Sequence, residues 1–279
     1  MPNLSAGELV RYSMGLGGRA LLRGGGKEAA WRIWMPLDID RVVELPWAGR
    51  MVGAEAPARV LDLASPKLLA AWLAQHTSAS VVATDLWPTE IERWRRLIRA
   101  SDPSGRRFRR LTLETADGTA LDYEDGSFDA AYSVSVIEHI PGDGDGNAMS
   151  ELARVLRPGG RLILTFPYRK RLEEEWVEHD VYGERFQGEP LFFCRHYSDE
   201  AVRERLLADG AFDVVEQVLW RKKGVPQAQT QLHRIVPSGR SVGHLLAPAF
   251  ALIGWRAMRI GSVENPGPDN VLGLALRRR

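Results

Sequence analysis

The chain has one cysteine, Cys194, among 279 residues. A single thiol excludes an internal disulfide, a disulfide-stapled scaffold and a zinc centre built from cysteines. A catalytic thiol is not expected either, because Cys194 follows Phe192 and Phe193, a setting that suits a small buried side chain. Net charge is almost absent: 37 Lys and Arg stand against 36 Asp and Glu, a formal +1. No global field therefore favours nucleic acid or an acidic partner. The basic residues that do cluster (Arg93, Arg95, Arg96, Arg99, Arg106, Arg107, Arg109, Arg110) suit a solvated helix face and an exposed strand entrance. Long apolar runs are also missing. The longest, Leu245 to Trp255, is broken by Pro248 and Gly254, well short of the roughly 18 apolar residues a bilayer span needs. No secretory-type apolar core opens the sequence, so the expected compartment is the cytoplasm. No internal repeat or low-complexity tract is visible.

What is present, from Ala58 onward, is an alternation of β-rich runs with helical patterns, the mark of a doubly wound parallel sheet. Strands are expected at 58–64, 80–86, 109–117, 127–136, 161–167, 212–220 and 270–278. Leu68, Leu69, Trp72 and Leu73 place one helix over about 66–76. Pro88 opens a second, on which Ile91, Trp94 and Ile98 recur at helical spacing. A third spans about Ala148–Leu156 and stops at Pro158-Gly159-Gly160; a fourth opens at Ser198 and ends near Gly210. Residues 1–57 form an N-terminal, helical extension to the domain of residues 58–279. Insertions at 168–197 and 221–269 are placed to cover the carboxyl edge of the sheet, where doubly wound folds bind their ligands. The first is rich in Tyr, Trp, Phe and His, from Tyr168 to Tyr197, a mix suited to a partly hydrophobic small molecule.

The stretch from Asp117 to Tyr168, DGTALDYEDGSFDAAYSVSVIEHI followed by ELARVLRPGGRLILTFPY, resembles the class I S-adenosylmethionine-dependent methyltransferases, and within them the group acting on small molecules, lipids and quinones. With weaker matches the resemblance covers about residues 58–220, and 270–278 fits the family's final strand. It implies a Rossmann-like α/β fold, a seven-stranded doubly wound sheet that is mostly parallel with the last strand antiparallel. It also implies S-adenosyl-L-methionine as cofactor. A nucleoside at a strand edge needs a turn it can approach closely and, about 20 residues later, a carboxylate for the ribose hydroxyls; Asp85 meets that spacing from Ala64. By resemblance, Asp62, Ala64 and Ser65 hold the methionine end and the first turn, and Leu86 packs on the adenine. Asp117 accepts from the adenine amino group with the Gly118 amide at the ring edge, and Ser133 and Val134 lie where the fourth strand passes the cofactor. The bland readings are a helix cap for Asp85, an Asx-turn for Asp117 and a buried structural acid for Asp62.

The departure from the family lies in the first turn, Asp62-Leu63-Ala64-Ser65-Pro66-Lys67, where a glycine-rich run is usual. It leaves room for a cofactor-binding but inactive relative. An RNA or protein methyltransferase is the other alternative, against which the near-neutral charge counts. His139, just past the fourth strand, is the candidate general base, with Glu138 beside it to orient the ring; the bland reading is that it starts a short helical turn and bonds to backbone. No metal is expected. Asp143, Asp145 and Asn147 have calcium-loop spacing, but Ala148 and Arg154 stand where glycine and glutamate are required, so 141–147 reads as a flexible loop. His179, Asp180 and His196 match no known ligand spacing. The expected acceptor is a small molecule, a glycan or a lipid-linked molecule, and Arg256 and Arg259 in the apolar segment 245–260 make peripheral membrane contact an option beside a pocket cap or core.

Overall fold

The computed structural model describes residues 4–38, 40–181, 186–222, 258–261 and 270–279. Three helices come first: α1 (Ala6–Leu21), α2 (Gly26–Trp34) and α3 (Arg41–Gly53). Ser5 caps α1 in a capping box, its hydroxyl accepting from Glu8 N while Glu8 Oε2 accepts from Ser5 N at 2.8 Å. The alternating region then runs β1 (Arg59–Leu63), α4 (Leu68–His76), β2 (Ser80–Asp85), α5 (Pro88–Ser101), β3 (Leu111–Thr115), β4 (Phe128–Val134), α6 (Gly144–Val155) and β5 (Leu156–Tyr168). A hairpin of β6 (Glu173–Val177) and β7 (Leu191–His196) follows. Next come a helical turn α7 (Asp199–Ala201), widening into a π turn over Val202–Leu206, and the strands β8 (Phe212–Lys222), β9 (Met258–Ile260) and β10 (Asn270–Arg278).

The main sheet has the order β3-β2-β1-β4-β5-β10-β8-β9. Strands β3, β2, β1, β4 and β5 pair in parallel, and β10 lies antiparallel between β5 and β8. The seven-stranded sheet with its last strand antiparallel is therefore present, and the short β9 extends its edge by pairing antiparallel to β8. Side-chain alternation divides the core. Val60, Ala130, Tyr132, Val134 and Ile163 face α1–α5 on one side. Leu61, Ala131, Leu162, Leu164 and Phe166 face α6 and α7 on the other. Trp47 of α3 ties the helical layer to the far half of the sheet: its Nε1 donates to Glu216 and its ring meets Trp220 edge-on.

Two local expectations are corrected. Residues 144–147 are not loop but the first turn of α6. Asp145 is fully buried there, accepts from Tyr197 Oη at 2.8 Å and from Arg205 Nε at 2.9 Å, and so draws the segment into the helix. Pro158-Gly159-Gly160 lies inside β5 rather than ahead of it, because α6 already ends at Val155. The β4–β5 register shifts between Phe128 and Ala130 to absorb the extra residues, with Gly159 at φ +78°. Among the described residues no helix is long and apolar enough to cross a membrane. Of the apolar segment 245–260, only 258–260 lie within the described residues.

Candidate active site

The carboxyl ends of β1, β2, β3 and β4 converge on a cavity of about 510 Å³. Its size falls in the range for small-molecule sites, roughly 300–1,000 Å³. Ala64, Asp85, Leu86, Asp117 and Gly118 line it, as does His139. Arg41 of α3 enters from the helical extension, and Val181 and Phe192 enter from the 168–197 segment.

The backbone is strained where two neighbouring strands end on this cavity. Ala64 after β1 has φ +54° and Ser135 after β4 has φ +50°, a region that costs a residue with a Cβ about 1–2 kcal/mol. The turn after β1 is pinned from behind. Asp62 Oδ1 accepts from Ser65 N at 2.9 Å, and Ser65 Oγ accepts from Val134 N at 2.9 Å. Ser135 is held by Glu44, a fully buried carboxylate on α3 that also accepts from Thr165 Oγ1 at 2.9 Å and pairs with Arg41. Burial works against the Arg41 charge, but Glu44, Asp40 and Asp38 outweigh it and keep the guanidinium protonated.

Lys67 is the least expected member of the site. It is only 1% exposed, and its ammonium donates to Ser65 O at 2.6 Å and to Asp85 Oδ2 at 3.3 Å. Asp85 also accepts from Trp87 N at 3.1 Å through Oδ1, so its carboxylate is fixed in orientation at the cavity wall. Behind it, burial pushes the Asp62 carboxyl up to about 6, against the pull of Lys67 and the Ser65 bonds. Beside Asp85, Leu86 and Trp87 are exposed large apolar side chains on the cavity rim. Asp117 Oδ1 accepts from Thr119 N at 2.8 Å and Oγ1 at 2.7 Å, forming its own turn. Gly118 packs closely on Leu63 at the rim: a Cβ there would lie 3.0 Å from its Cδ1.

His139 closes a short 3₁₀ turn, Ile137–His139. Its Nδ1 lies 2.7 Å from the Phe193 carbonyl, which can only accept, so Nδ1 carries the proton and Nε2 the lone pair in the neutral ring. Burial holds the imidazole below its ordinary pKa, so it is neutral at pH 7. Glu138 is buried, its carboxyl pushed up to about 8 by desolvation, and its Oε1 stands 3.6 Å from His139 Nε2. Cys194 is buried, with its thiol pushed up to about 12 by burial and by Glu175, which agrees with the expectation of a small interior side chain rather than a nucleophile.

Residues 61–164 match the family model described as "Methyltransferase domain". They are a methyltransferase domain. The domain's relatives include Methyltransferase GfsG of Streptomyces halstedii, 38% identical over 95 residues, which are 34% of this chain and 32% of that protein. A ubiquinone/menaquinone biosynthesis C-methyltransferase of Geobacter is 34% identical over 125 residues, 42% of this chain and 49% of that one. The chain thus spans a third to a half of the length of these curated relatives. A solved structure with the same fold is 1,6-didemethyltoxoflavin-N1-methyltransferase of Burkholderia thailandensis, 17% identical with a TM-score of 0.51, covering 85% of this chain and 78% of that one.

Within the methyltransferase domain the candidate residues divide in two. Ala64, Asp85, Leu86, Asp117, Gly118 and His139 stand on the cavity wall. Asp62, Ser65, Ser133 and Val134 are buried behind it and brace the turns. Sequence reasoning missed Lys67, Arg41, Glu44 and Ser135. Glu44 carried a signal, a lone acid in the apolar run Val42-Val43-Glu44-Leu45-Pro46-Trp47; Arg41 and Lys67 carried none. The aromatic insertion also divides. Phe192 faces the cavity, whereas Tyr168 and Tyr197 are buried anchors, Tyr197 bonding to Asp145. Tyr182 lies outside the described residues.

Proposed function

We propose that this chain binds S-adenosylmethionine in the cavity at the ends of β1–β4 and transfers its methyl group to a small organic acceptor entering beside His139 and Phe192. The observation that carries the reading is Asp85, a carboxylate oriented by Lys67 and the Trp87 amide at the wall of a cavity whose rim is apolar. Its remaining lone pairs suit a vicinal diol, and Leu86 and Trp87 beside it suit a purine face. Asp117 and the Gly118 amide suit a ring edge, and the cationic Arg41 suits a carboxylate. The bound cofactor supplies an activated methyl group; the protein's own part is orientation and proton transfer. His139 Nε2 takes the proton that an oxygen or nitrogen acceptor sheds as its bond to the methyl carbon forms and the sulfur–carbon bond breaks. The similarity to the Geobacter protein, named a C-methyltransferase of ubiquinone/menaquinone biosynthesis, supports a small organic acceptor over a macromolecule.

Calorimetry with S-adenosylhomocysteine tests the binding step. Micromolar affinity is expected, falling by roughly 10- to 100-fold in Asp85→Ala through loss of charge-assisted bonds worth about 1.5–3 kcal/mol. Absence of binding by the unaltered chain would overturn the proposal. An acceptor screen tests the chemical step. His139→Ala is expected to lower kcat about 10²-fold with cofactor affinity unchanged. Binding without turnover across oxygen, nitrogen and carbon acceptors would favour a non-catalytic relative instead.

A further inference from the structure

The β6–β7 hairpin brings Glu175 of one strand against Cys194 and His196 of the other. Glu175 and Cys194 are cross-strand partners, and Cys194 and His196, two apart on β7, share one face of the strand. Their donor atoms converge: Cys194 Sγ lies 4.0 Å from Glu175 Oε2 and 3.8 Å from His196 Nε2, and His196 Nε2 lies 3.5 Å from Glu175 Oε2. A tetrahedral zinc ion with Zn–S of about 2.3 Å and Zn–N and Zn–O of about 2.0–2.1 Å sets its ligand atoms roughly 3.4–3.6 Å apart. The three observed separations are within about 0.4 Å of that, a difference side-chain rotation absorbs. Neither His179 nor Asp180 belongs to the group.

The surroundings suit a cation. Cys194 is buried, while the side chain of Glu175 is 37% exposed, so a thiol in the interior is reached from solvent through a carboxylate. On its β7 side the hairpin is tied to the domain by Arg195, which donates to Ile140 O and Gly142 O, each at 2.6 Å, and pairs with Asp145. It is a two-stranded sheet separate from the main one, and such a ribbon is marginal alone. Yet it presents Phe192 to the cavity and the Phe193 carbonyl to His139.

We propose that Glu175, Cys194 and His196 bind one divalent transition-metal ion of the zinc type, which locks the hairpin and thereby positions Phe192 and His139 at the active site. Binding displaces the Cys194 proton to solvent and forms one metal–sulfur, one metal–nitrogen and one metal–oxygen bond, with no change of oxidation state. Three protein ligands leave one coordination position to solvent.

The test uses the full chain, stripped with a chelator and titrated with Co²⁺ as a spectroscopic probe, then with Zn²⁺ in competition. One equivalent of Co²⁺ should bring up a thiolate-to-cobalt charge-transfer band together with tetrahedral visible bands, and Zn²⁺ should erase both. Cys194→Ser should abolish the charge-transfer band. His196→Gln and Glu175→Gln should each weaken metal affinity by more than roughly 100-fold, since loss of even an outer partner costs about 10- to 100-fold. Circular dichroism and S-adenosylhomocysteine binding identify any variant that fails to fold; for such a variant the metal-free and metal-loaded thermal melts of the unaltered chain decide, and a rise in Tm with Zn²⁺ is expected. No stoichiometric cobalt spectrum from the unaltered chain, or a spectrum kept intact by folded Cys194→Ser and His196→Gln, would overturn the proposal.

Discussion

Lys67 is the residue whose removal says most about how the site is held. Its ammonium is buried and serves two carboxylates: it pairs with Asp85 at 3.3 Å and offsets the charge of Asp62, whose Oδ2 has no hydrogen-bond partner. Lys67→Met keeps most of the volume and deletes the charge. Removing one partner of a buried pair typically costs about 3–5 kcal/mol, because the other charge stays behind uncompensated. Two features place this case at the lower end. Asp62, already raised to about 6, can take a proton, and Asp85 keeps the Trp87 amide and a contact with the open cavity. The expected loss is about 3 kcal/mol. With an m-value of about 3 kcal/mol/M, that moves the urea midpoint down by about 1 M. In the cycle with Asp85→Asn, the double variant should cost at least about 1 kcal/mol less than the two single ones together. A loss below about 1 kcal/mol at unchanged m would mean that Lys67 reaches water in solution, and the argument for a rigidly oriented Asp85 would fall with it.

Two more outcomes follow from the same turn. Asp62 is raised from 3.8 to about 6 by burial, so its contribution to stability is complete below the unfolded value and is lost as pH rises through the folded one; relative to Asp62→Asn, the cofactor-free protein should lose up to about 3 kcal/mol between pH 4 and 6, read from urea midpoints, and parallel profiles would contradict the buried carboxyl. Ala64→Gly should raise stability by about 0.5–1 kcal/mol, because relief at φ +54° exceeds the entropy that glycine adds to the unfolded chain; a destabilised variant in thermal melts would show that the turn is not strained.

The strands that build the cavity floor were legible because their signals are local. Short β-rich runs such as Val81 to Ala83 and Ala130 to Val134 are buried on both faces, and Pro88 opens α5 where the sequence places it. Ala64 shows how far such reading goes. Its mismatch with a glycine-rich turn is plain in the sequence, but that an alanine there takes the left-handed conformation is not. The calcium-spaced loop misled for the opposite reason. Asp145 looks like a solvated loop acid until Tyr197, Arg195 and Arg205, some 50–60 residues later, fold onto it. Arg41 and Phe192 belong to the site only through tertiary approach from either side of the domain, and no periodicity encodes that.

The antiparallel β10, wedged between β5 and β8, also sets a timetable for synthesis. When a ribosome has delivered β8, the strand that joins it to the sheet is still missing, because β10 is encoded almost 50 residues downstream. At about 5–20 residues per second, that leaves an interval of roughly 2–10 s. During it the nascent half-domain already holds Asp85 and His139, yet shows Leu162, Leu164 and Phe166 along an open β5 edge. An unpaired apolar edge of this kind is a template for pairing with other chains. Yield in the cell should therefore respond to translation speed across residues 223–269 and to chaperone supply, even where the finished protein is unchanged.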